Sequence, residues 1–320
     1  MRGRALLAAY LAAAVGAALV AVPLARFLLP SQAGAASPFA DPPAPKLASH
    51  LQLAAQIAPP LPTLRAPANP ASVTAPNYLN YLGWALLDRH TNQLAGSDNR
   101  ETSTNTTESM IKVWIAADYL RHMVAANKPP PAAALAELNR MIIHSDDNIA
   151  SKYFKLDGGA KAISELISVC GLRGTTSDGA NRWSYTTMSP ADAARMGLCV
   201  AAGTAAGPTW ATWLLTAMHN VTGSVADQQL KTGGGHWGII DALPPELAAG
   251  TSIKNGWTAQ VYDSNWHINC LAVHADWVLA VELHYPWTSP DGNWQHANNL
   301  QQGADACKTV TSQLLVIPDF

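Results

Sequence analysis

Ser109 and Lys112 are the first residues of the sequence whose types and spacing could support covalent chemistry. They open an amphipathic segment that predicts a helix, and residues three apart on a helix lie on the same face. A neutral lysine amine there can remove the serine proton and activate the hydroxyl as a nucleophile. The N–H groups at the helix N-terminus could stabilise an oxyanion. Alone, the pattern more often marks a helix-capping serine followed by a surface lysine.

Two later motifs carry further polar groups. Residues 145–148 (SDDN) follow a predicted helix, where they could also serve only as a polar helix cap. Residues 254–257 (KNGW) lie in a β-rich run, where they could equally mark the end of a strand and a turn glycine. Each motif alone is common, but the three together in this order are more specific than any one of them.

Taken together, the three motifs resemble those of the penicillin-recognising serine hydrolases, which include class A β-lactamases and the DD-peptidases of cell-wall synthesis. The resemblance covers about Tyr78 to the C-terminus, and residues 182–183 and 186–188 are similar to those that flank the Ω-loop of class A enzymes. It implies an α+β fold. An antiparallel sheet of N- and C-terminal strands would be flanked by helices and joined by a helical lobe.

The resemblance implies acyl transfer through a seryl ester. Ser109 would be the acylated nucleophile, Lys112 its general base, and Ser145 the group that passes the proton to the leaving nitrogen. The oxyanion hole would be formed by the backbone N–H groups of Ser109 and Trp257. β-Lactams or D-Ala-D-Ala-like peptides of peptidoglycan would be the substrates.

We assign substrate binding to five positions, of which Trp257, directly after Gly256, would lie at the edge of the site. The resemblance implies the other four. Lys254 would attract the substrate carboxylate, and Asp147 and Asn255 would occupy positions that contact the substrate. Gly256 would let the substrate lie against the strand edge, where a side chain would obstruct it.

Several of these residues depart from the family pattern. Asp147 stands where asparagine is usual, and an ionised carboxylate cannot donate to a substrate carbonyl. Either Asp147 is protonated or Asn148 substitutes for the amide. Asn255 replaces the usual threonine or serine and so removes a hydroxyl that often binds the substrate carboxylate. Ser145 follows Ser109 sooner than is usual, which predicts a trimmed helical lobe.

The predicted Ω-loop is short and lacks the glutamate that activates the deacylating water in class A enzymes. Asp178 is the only carboxylate between Arg173 and Met188. Loss of a positioned general base costs roughly 10²–10⁴-fold in rate. We therefore expect a slow penicillin-binding protein, or a peptidase with another water-activating group, rather than a fast β-lactamase. The alternatives are a non-catalytic relative that binds cell-wall peptide or a protein partner, and an esterase on the same scaffold.

The elements that must position these residues follow a strand–helix–strand order. Residues 81–88 predict a strand, residues 108–123 a helix with a buried face, and residues 252–258, 266–274 and 277–285 three further strands. Between and after them, helices are predicted over residues 132–143, 146–153, 159–170, 190–201, 209–219 and 297–315. Strands from both ends of a chain commonly meet in one antiparallel sheet.

The N-terminal sequence predicts an export segment. Arg2 and Arg4 precede a long apolar run, and residues 33–35 could be a cleavage site. Residues 5–29 could equally stay uncleaved as a membrane anchor. We expect residues 1–35 to be a signal peptide or anchor, residues 36–75 a Pro/Ala-rich linker, and residues 76–320 the hydrolase domain.

Four cysteines in an exported chain predict two disulfides. Three pairings are possible, and the favoured one joins cysteines within one sequence block, as Cys170–Cys199 and Cys270–Cys307. The alternative is four buried free thiols. No cysteine precedes Cys170, so we expect no lipid-attachment cysteine.

Composition excludes several other classes of protein. With 48% hydrophobic residues, 13% charged residues and a net charge of −2, the chain is not disordered over most of its length. The balance of 20 Lys+Arg against 22 Asp+Glu leaves no basic excess for nucleic acid. No histidine or cysteine has zinc-ligand spacing, so no metal or cofactor is expected. The expected location is extracytoplasmic.

Overall fold

A computed structural model describes residues 61–317 of the chain. The predicted leader and most of the predicted linker lie outside these residues. The strands are β1 (Thr63–Leu64), β2 (Tyr81–Asp88), β3 (Leu94–Gly96), β4 (Asn105–Thr106), β5 (Thr187–Met188), β6 (Ser252–Ala259), β7 (Asn265–Val273), β8 (Trp277–Pro286) and β9 (Leu315–Val316).

The α-helices account for the larger part of the regular structure in residues 61–317. They are α1 (Lys112–Ala125), α2 (Ala132–Ile143), α3 (Asp147–Leu156), α4 (Ala160–Cys170), α5 (Pro190–Ala201), α6 (Pro208–His219), α7 (Val225–Gln229), α8 (Pro245–Ala248) and α9 (Leu300–Leu314).

The main sheet has five antiparallel strands in the order β3-β2-β8-β7-β6. The N-terminal strand β2 pairs along its whole length with the C-terminal strand β8, from Tyr81 opposite His284 to Asp88 opposite Trp277. The predicted α+β fold, with one sheet built from both ends of the chain, is therefore confirmed. β6 lies at one edge of this sheet.

Helices cover both faces of the sheet, and β7 shows how. Leu271 and Val273 lie against Gly197 of α5, where a methyl group would come within 3.2 and 3.4 Å of them. Cys270, which directly precedes Leu271, is joined to Cys307 of α9. Because successive side chains of a strand point to opposite faces, α5 and α9 lie on opposite sides of the sheet.

The helical lobe is organised around α1, which packs against α2, α3, α4, α5 and α6. Val113, Trp114 and Ile115 are consecutive and fully buried, so α1 is enclosed rather than amphipathic in its first half. The indole of Trp114 donates to Ala162 O of α4 at 2.9 Å. This enclosure fixes the N-terminus of α1, where the candidate nucleophile lies.

The folded region begins earlier than the sequence predicts. Thr63 and Leu64 of β1 pair with β9, and Leu64 is buried in the core. The Thr74 N–H donates to Gln313 Oε1 at 2.8 Å. Residues 63–74, assigned to the linker from their proline content, therefore belong to the domain, because they pack against its C-terminal segment.

The two disulfides join Cys170 to Cys199 and Cys270 to Cys307, the pairing that sequence order favoured. The first links α4 to α5, and the second links β7 to α9. Within residues 61–317, no helix combines the length and the apolar character that a bilayer span requires.

Candidate active site

Ser109 lies on a single 3-10 turn, Glu108–Ile111, that leads directly into α1. The neighbouring Met110 and Ile111 side chains are fully buried and hold this turn in the core. Glu108 has a φ of 47°, in the left-handed region. Such strained backbone persists only where the surrounding structure enforces it, and it is common at functional sites.

Lys112 is fully buried and donates from Nζ to three oxygens. The distances are 2.6 Å to Ser145 O, 3.2 Å to Ser145 Oγ and 2.6 Å to Asp147 Oδ1. An ammonium group has three hydrogens, so these bonds use all of them, and none goes to Ser109. Burial lowers the pKa of Lys112, whereas the Asp147 carboxylate raises it. Lys112 must lose its proton before it can act as the predicted base.

Ser145 lies between the two lysines of the motifs. Its hydroxyl is 3.2 Å from Lys112 Nζ and 3.0 Å from Lys254 Nζ. Its φ is 58°, so Ser145, like Glu108, has a left-handed backbone conformation. The adjacent Asp146 caps α3, because its Oδ1 accepts from the Ile149 N–H at 3.0 Å. The motif thus serves as a helix cap and also presents a serine hydroxyl to the site.

Lys254 reaches the site from β6 with a fully buried side chain. Its Nζ donates to Ser145 Oγ and, at 3.3 Å, to Asn255 O. Burial lowers the pKa of Lys254 well below its ordinary value, and the nearby Lys112 charge lowers it further. The two buried amines therefore compete for protons within one hydrogen-bonded group.

Gly256 brings β6 against the turn that carries Ser109. A Cβ at this position would lie 2.7 Å from Met110 N and Thr107 O, and 2.8 Å from Ser109 N. No side chain fits at those distances, so glycine is needed for the strand and the turn to touch. The resemblance predicts that this glycine leaves room for the substrate, whereas in the structure its position contacts the protein's own backbone. Trp257 follows it, half-buried, 5.6 Å from the Trp266 ring.

Asn255 points away from the other motif residues. Its amide donates to Gly235 O at 2.9 Å and to Trp237 O at 2.8 Å, and its side chain is buried. These two bonds use both amide hydrogens, so no donor is left for a substrate carboxylate. In this structure the amide of Asn255 holds the glycine-rich loop against β6, and its contact with substrate stays a prediction.

Glu108 was not singled out from the sequence, yet it is buried beside the nucleophile. Its carboxylate accepts from Thr106 Oγ1 at 2.8 Å, Thr258 Oγ1 at 2.7 Å and Gln260 Nε2 at 2.8 Å. Burial raises the pKa of Glu108 to about 7, although these three donors act in the opposite direction. Since Thr258 and Gln260 belong to β6 and the residue just after it, Glu108 ties the Ser109 turn to the edge of the sheet.

The short loop before α5 closes one side of the lysine pair. The Trp183 ring lies 4.9 Å from Lys112 Nζ, within cation–π distance, and its indole donates to Ser151 Oγ at 3.1 Å. Asp178, the only carboxylate of this loop, accepts from Arg182 Nε at 2.6 Å. It is therefore occupied in the loop's own ion pair, and Asp147 is the carboxylate that contacts Lys112.

The fold is that of class A β-lactamases. The chain superposes on the TLA-3 extended-spectrum β-lactamase with a TM-score of 0.53 and 15% identity, over 74% of this chain and 94% of that one. The ancestral GNCA class A β-lactamase gives 0.51 and 15%, over 73% and 93%. The β-lactamase of Desulfarculus baarsii gives 0.50 and 16%, over 76% and 93%. At these identities the likeness establishes the fold alone.

Curated relatives of the chain come from mycobacteria. It is 27% identical over 194 residues to the "Putative lipoprotein LppW" of Mycobacterium tuberculosis and of Mycobacterium bovis. The match covers 59% of this chain and 57% of the length of those relatives. No protein-family profile matches the chain.

Proposed function

We propose that the chain is an extracytoplasmic serine acyl-transfer hydrolase of the penicillin-binding type. Ser109 would form a seryl ester with a β-lactam or a D-Ala-D-Ala-like peptide and release it slowly. One observation carries the proposal: Lys112 and Lys254, both with no solvent exposure, converge on the hydroxyl of Ser145 at 3.2 and 3.0 Å.

Burying two lysines lowers the stability of the folded state, so packing alone does not explain them. Removing an ammonium group from water costs several kcal/mol, and well-packed apolar residues often give equal or greater stability. Buried like charges that share a hydrogen-bonded group are typical of catalytic sites, because each lowers the other's pKa. A neutral amine and a serine hydroxyl in contact provide the proton path that acyl transfer requires.

Slow release follows from the carboxylates near the site. Partial burial raises the pKa of Asp178, but hydrogen bonds from the Ala180 N–H and Arg182 outweigh it and lower the pKa overall. Asp178 is thus a weak base already paired with Arg182. Asp147 is held by Lys112 at 2.6 Å. Neither is placed as a free water-activating group, so deacylation would lack the usual general base.

The proposed location rests on the disulfides and on the relatives. Disulfides persist in oxidising compartments outside the cytoplasm, and both pairs are formed here. The mycobacterial relatives are named as lipoproteins. Together with the export-like leader, this supports a secreted or membrane-anchored protein of the cell envelope.

A second candidate function is a non-catalytic binding protein of the cell envelope. The favouring observation is the bond from Lys112 to Asp147, which favours the protonated form of the lysine. A Lys112 that stayed protonated would leave Ser109 without a neighbouring base. On this account the fold would bind cell-wall peptide or a protein partner without forming an ester.

Covalent labelling separates these functions. The purified protein would be incubated with a fluorescent penicillin and compared with Ser109→Ala, and with Ser164→Ala as a matched control on the exposed face of α4. We expect a covalent adduct that Ser109→Ala abolishes and Ser164→Ala retains. Folded protein that takes no label but binds D-Ala-D-Ala peptide supports the binding protein. Turnover of small esters without penicillin labelling supports an esterase on the same scaffold.

A further inference from the structure

A second cluster of ionisable side chains lies in the helical lobe and shares no residue with the candidate active site. Asp118 and His122 are one turn apart on α1, and Asp157 directly follows α3. Each offers one ligand atom, and the three atoms lie within 4.8 Å of one another. The side chains of Asp118 and Asp157 are 0% and 2% exposed.

Both buried carboxylates have an oxygen without a partner. Among residues 61–317, neither Asp118 Oδ2 nor Asp157 Oδ2 has a hydrogen-bond partner. The other oxygen of Asp118 accepts from Arg121 Nε at 2.9 Å and from Nη2 at 2.7 Å. Leaving a buried polar oxygen without a partner costs roughly 1–3 kcal/mol, and more where the group is ionised. A cation between the two carboxylates would satisfy both oxygens at once.

The charges of the cluster leave room for one more cation. Arg121 forms ion pairs with both Asp118 and Glu165, and Lys161 Nζ lies 3.4 Å from Glu165 Oε1. Asp157 has no lysine or arginine partner within residues 61–317; its nearest basic atom is His122 Nδ1, at 3.6 Å.

The cluster is open to solvent on one side. The side chains of His122 and Glu165 are 35% and 21% exposed, and Glu165 Oε2 lies 3.1 Å from His122 Nε2. An ion could therefore reach the buried carboxylates past the imidazole. Glu165 is the carboxylate that stands at the mouth of this path.

The donor set selects the type of metal. Ligands four residues apart on one helix share a face, a spacing that metal-binding helices use. One imidazole with two carboxylates suits borderline cations better than Mg²⁺ or Ca²⁺, which prefer oxygen alone. We propose that Asp118, His122 and Asp157 bind Zn²⁺, with Glu165 or water as the fourth ligand, and that the ion fastens the C-terminus of α3 to α1.

The chain has another acid–histidine cluster, formed by Asp263, His267 and His284. There, His267 Nδ1 is hydrogen-bonded to Thr106 Oγ1 and Nε2 to Asp263 Oδ2, each at 2.8 Å. None of its side-chain atoms is among the buried polar atoms of residues 61–317 that lack a partner. The Asp118 cluster is therefore the one whose geometry calls for an ion.

Zinc binding can be measured on the metal-stripped full chain. Isothermal titration with ZnCl₂ would be combined with thermal unfolding in the presence and absence of zinc. The variants are Asp157→Asn and His122→Gln, with His296→Gln as the control because His296 forms an exposed pair with Asp291. We expect one zinc per chain and a higher Tm with zinc, since binding to the folded state alone stabilises it.

The variants decide the outcome. We expect Asp157→Asn and His122→Gln each to weaken zinc binding at least tenfold and to abolish the zinc-dependent rise in Tm, while His296→Gln keeps both. His122 is at the solvent-exposed rim, so His122→Gln tests the site even if Asp157→Asn does not fold. The proposal is overturned if the wild type binds no zinc, or if both variants bind it as tightly as the wild type.

Discussion

At the scale of single residues, the carboxylate of Asp147 raises the pKa of Lys112 against the larger lowering effect of burial. A carboxylate 2.6 Å from a buried ammonium stabilises the charged form of Lys112. An amide at the same place could accept the same hydrogen bond without the negative charge. Asp147 therefore opposes the pKa-lowering effect of burial, and the two together decide when Lys112 can accept the Ser109 proton.

Asp147→Asn should make acylation faster at neutral pH. Removing the charge lowers the pKa of Lys112, so a larger fraction of the lysine is neutral. Because Asp147 is well exposed and its effect is screened, we expect the midpoint of the acylation pH profile to fall modestly and the rate at pH 7 to rise severalfold. Stopped-flow penicillin labelling between pH 5 and 9 measures both. An unchanged midpoint would show that Lys112 is not the titrating base.

Glu108 provides a prediction for stability. Burial raises its pKa to about 7 from the ordinary 4.5, so the folded state binds this proton more tightly than the unfolded chain. The stabilising contribution is complete below about pH 4.5 and is lost as pH rises through 7, a change on the order of 3 kcal/mol. Urea unfolding across this range should show that component in the wild type and not in Glu108→Gln. The same pH slope in both proteins would contradict the assignment.

At the scale of elements, the site depends on how closely β6 meets the Ser109 turn. Gly256 permits the contact, and Glu108 holds it through Thr258 and Gln260. Lys254 and Gly256 face the turn, whereas Asn255 faces the opposite side and holds the glycine-rich loop. One strand thus positions a lysine, the candidate nucleophile and a loop through three successive residues.

Gly256→Ala should separate the strand from the turn. A Cβ 2.7 Å from Met110 N has to displace backbone, which costs about 1–3 kcal/mol in a packed site, and Ser109 would move with it. We expect penicillin labelling to slow by at least about a hundredfold, while the protein stays folded by circular dichroism. Gly250→Ala is a matched control, because its Cβ would meet only the His274 ring at 3.1 Å. Equal labelling of the two variants would contradict this account.

Sequence patterns predicted the long elements well, because β2, β6, β7, β8 and the central helices have clear periodicity. The strand formed by Thr63 and Leu64 was not predicted, because a two-residue strand shows no periodicity and its partner is about 250 residues away. Strand alternation predicts that Asn255 points away from the face that carries Lys254 and Gly256. The family resemblance instead predicts a contact between Asn255 and the substrate. Two of the three partners of Glu108 lie about 150 residues further along the chain, so only folding brings them together.

The Asp118 cluster shows the same limit for side chains. Asp118 and His122 have helical spacing that the sequence displays, but the third member comes from the end of α3. A search for histidine and cysteine spacing does not detect a site in which two of three ligands are aspartates.

At the scale of the whole molecule, two disulfides fasten helices that flank the sheet. The Cys270–Cys307 bridge closes 37 residues and joins β7 to α9, the helix that covers one face. The chain-entropy model gives about 4 kcal/mol for a loop of this size. The bridge therefore contributes substantially to the stability of the domain as a whole.

Removing that bridge should lower stability without removing the site. The double variant Cys270→Ala, Cys307→Ala should lose about 2–4 kcal/mol in the free energy of unfolding by urea, while its penicillin labelling below the transition matches the wild type. Cys170→Ala, Cys199→Ala provides a comparison with a similar loop of 29 residues. A loss below 1 kcal/mol would show that α9 is held by packing alone.

The central claim is that Ser109 forms an ester which the protein hydrolyses slowly. A short pulse of benzylpenicillin, followed by removal of free ligand and intact-mass measurement over an hour, tests it directly. We predict one adduct of the mass of the whole penicillin, absent in Ser109→Ala and still present after many minutes. Absence of the adduct in folded wild-type protein, or its equal formation in Ser109→Ala, would contradict acylation at Ser109. Its loss within seconds would contradict slow release and require a water-activating base elsewhere.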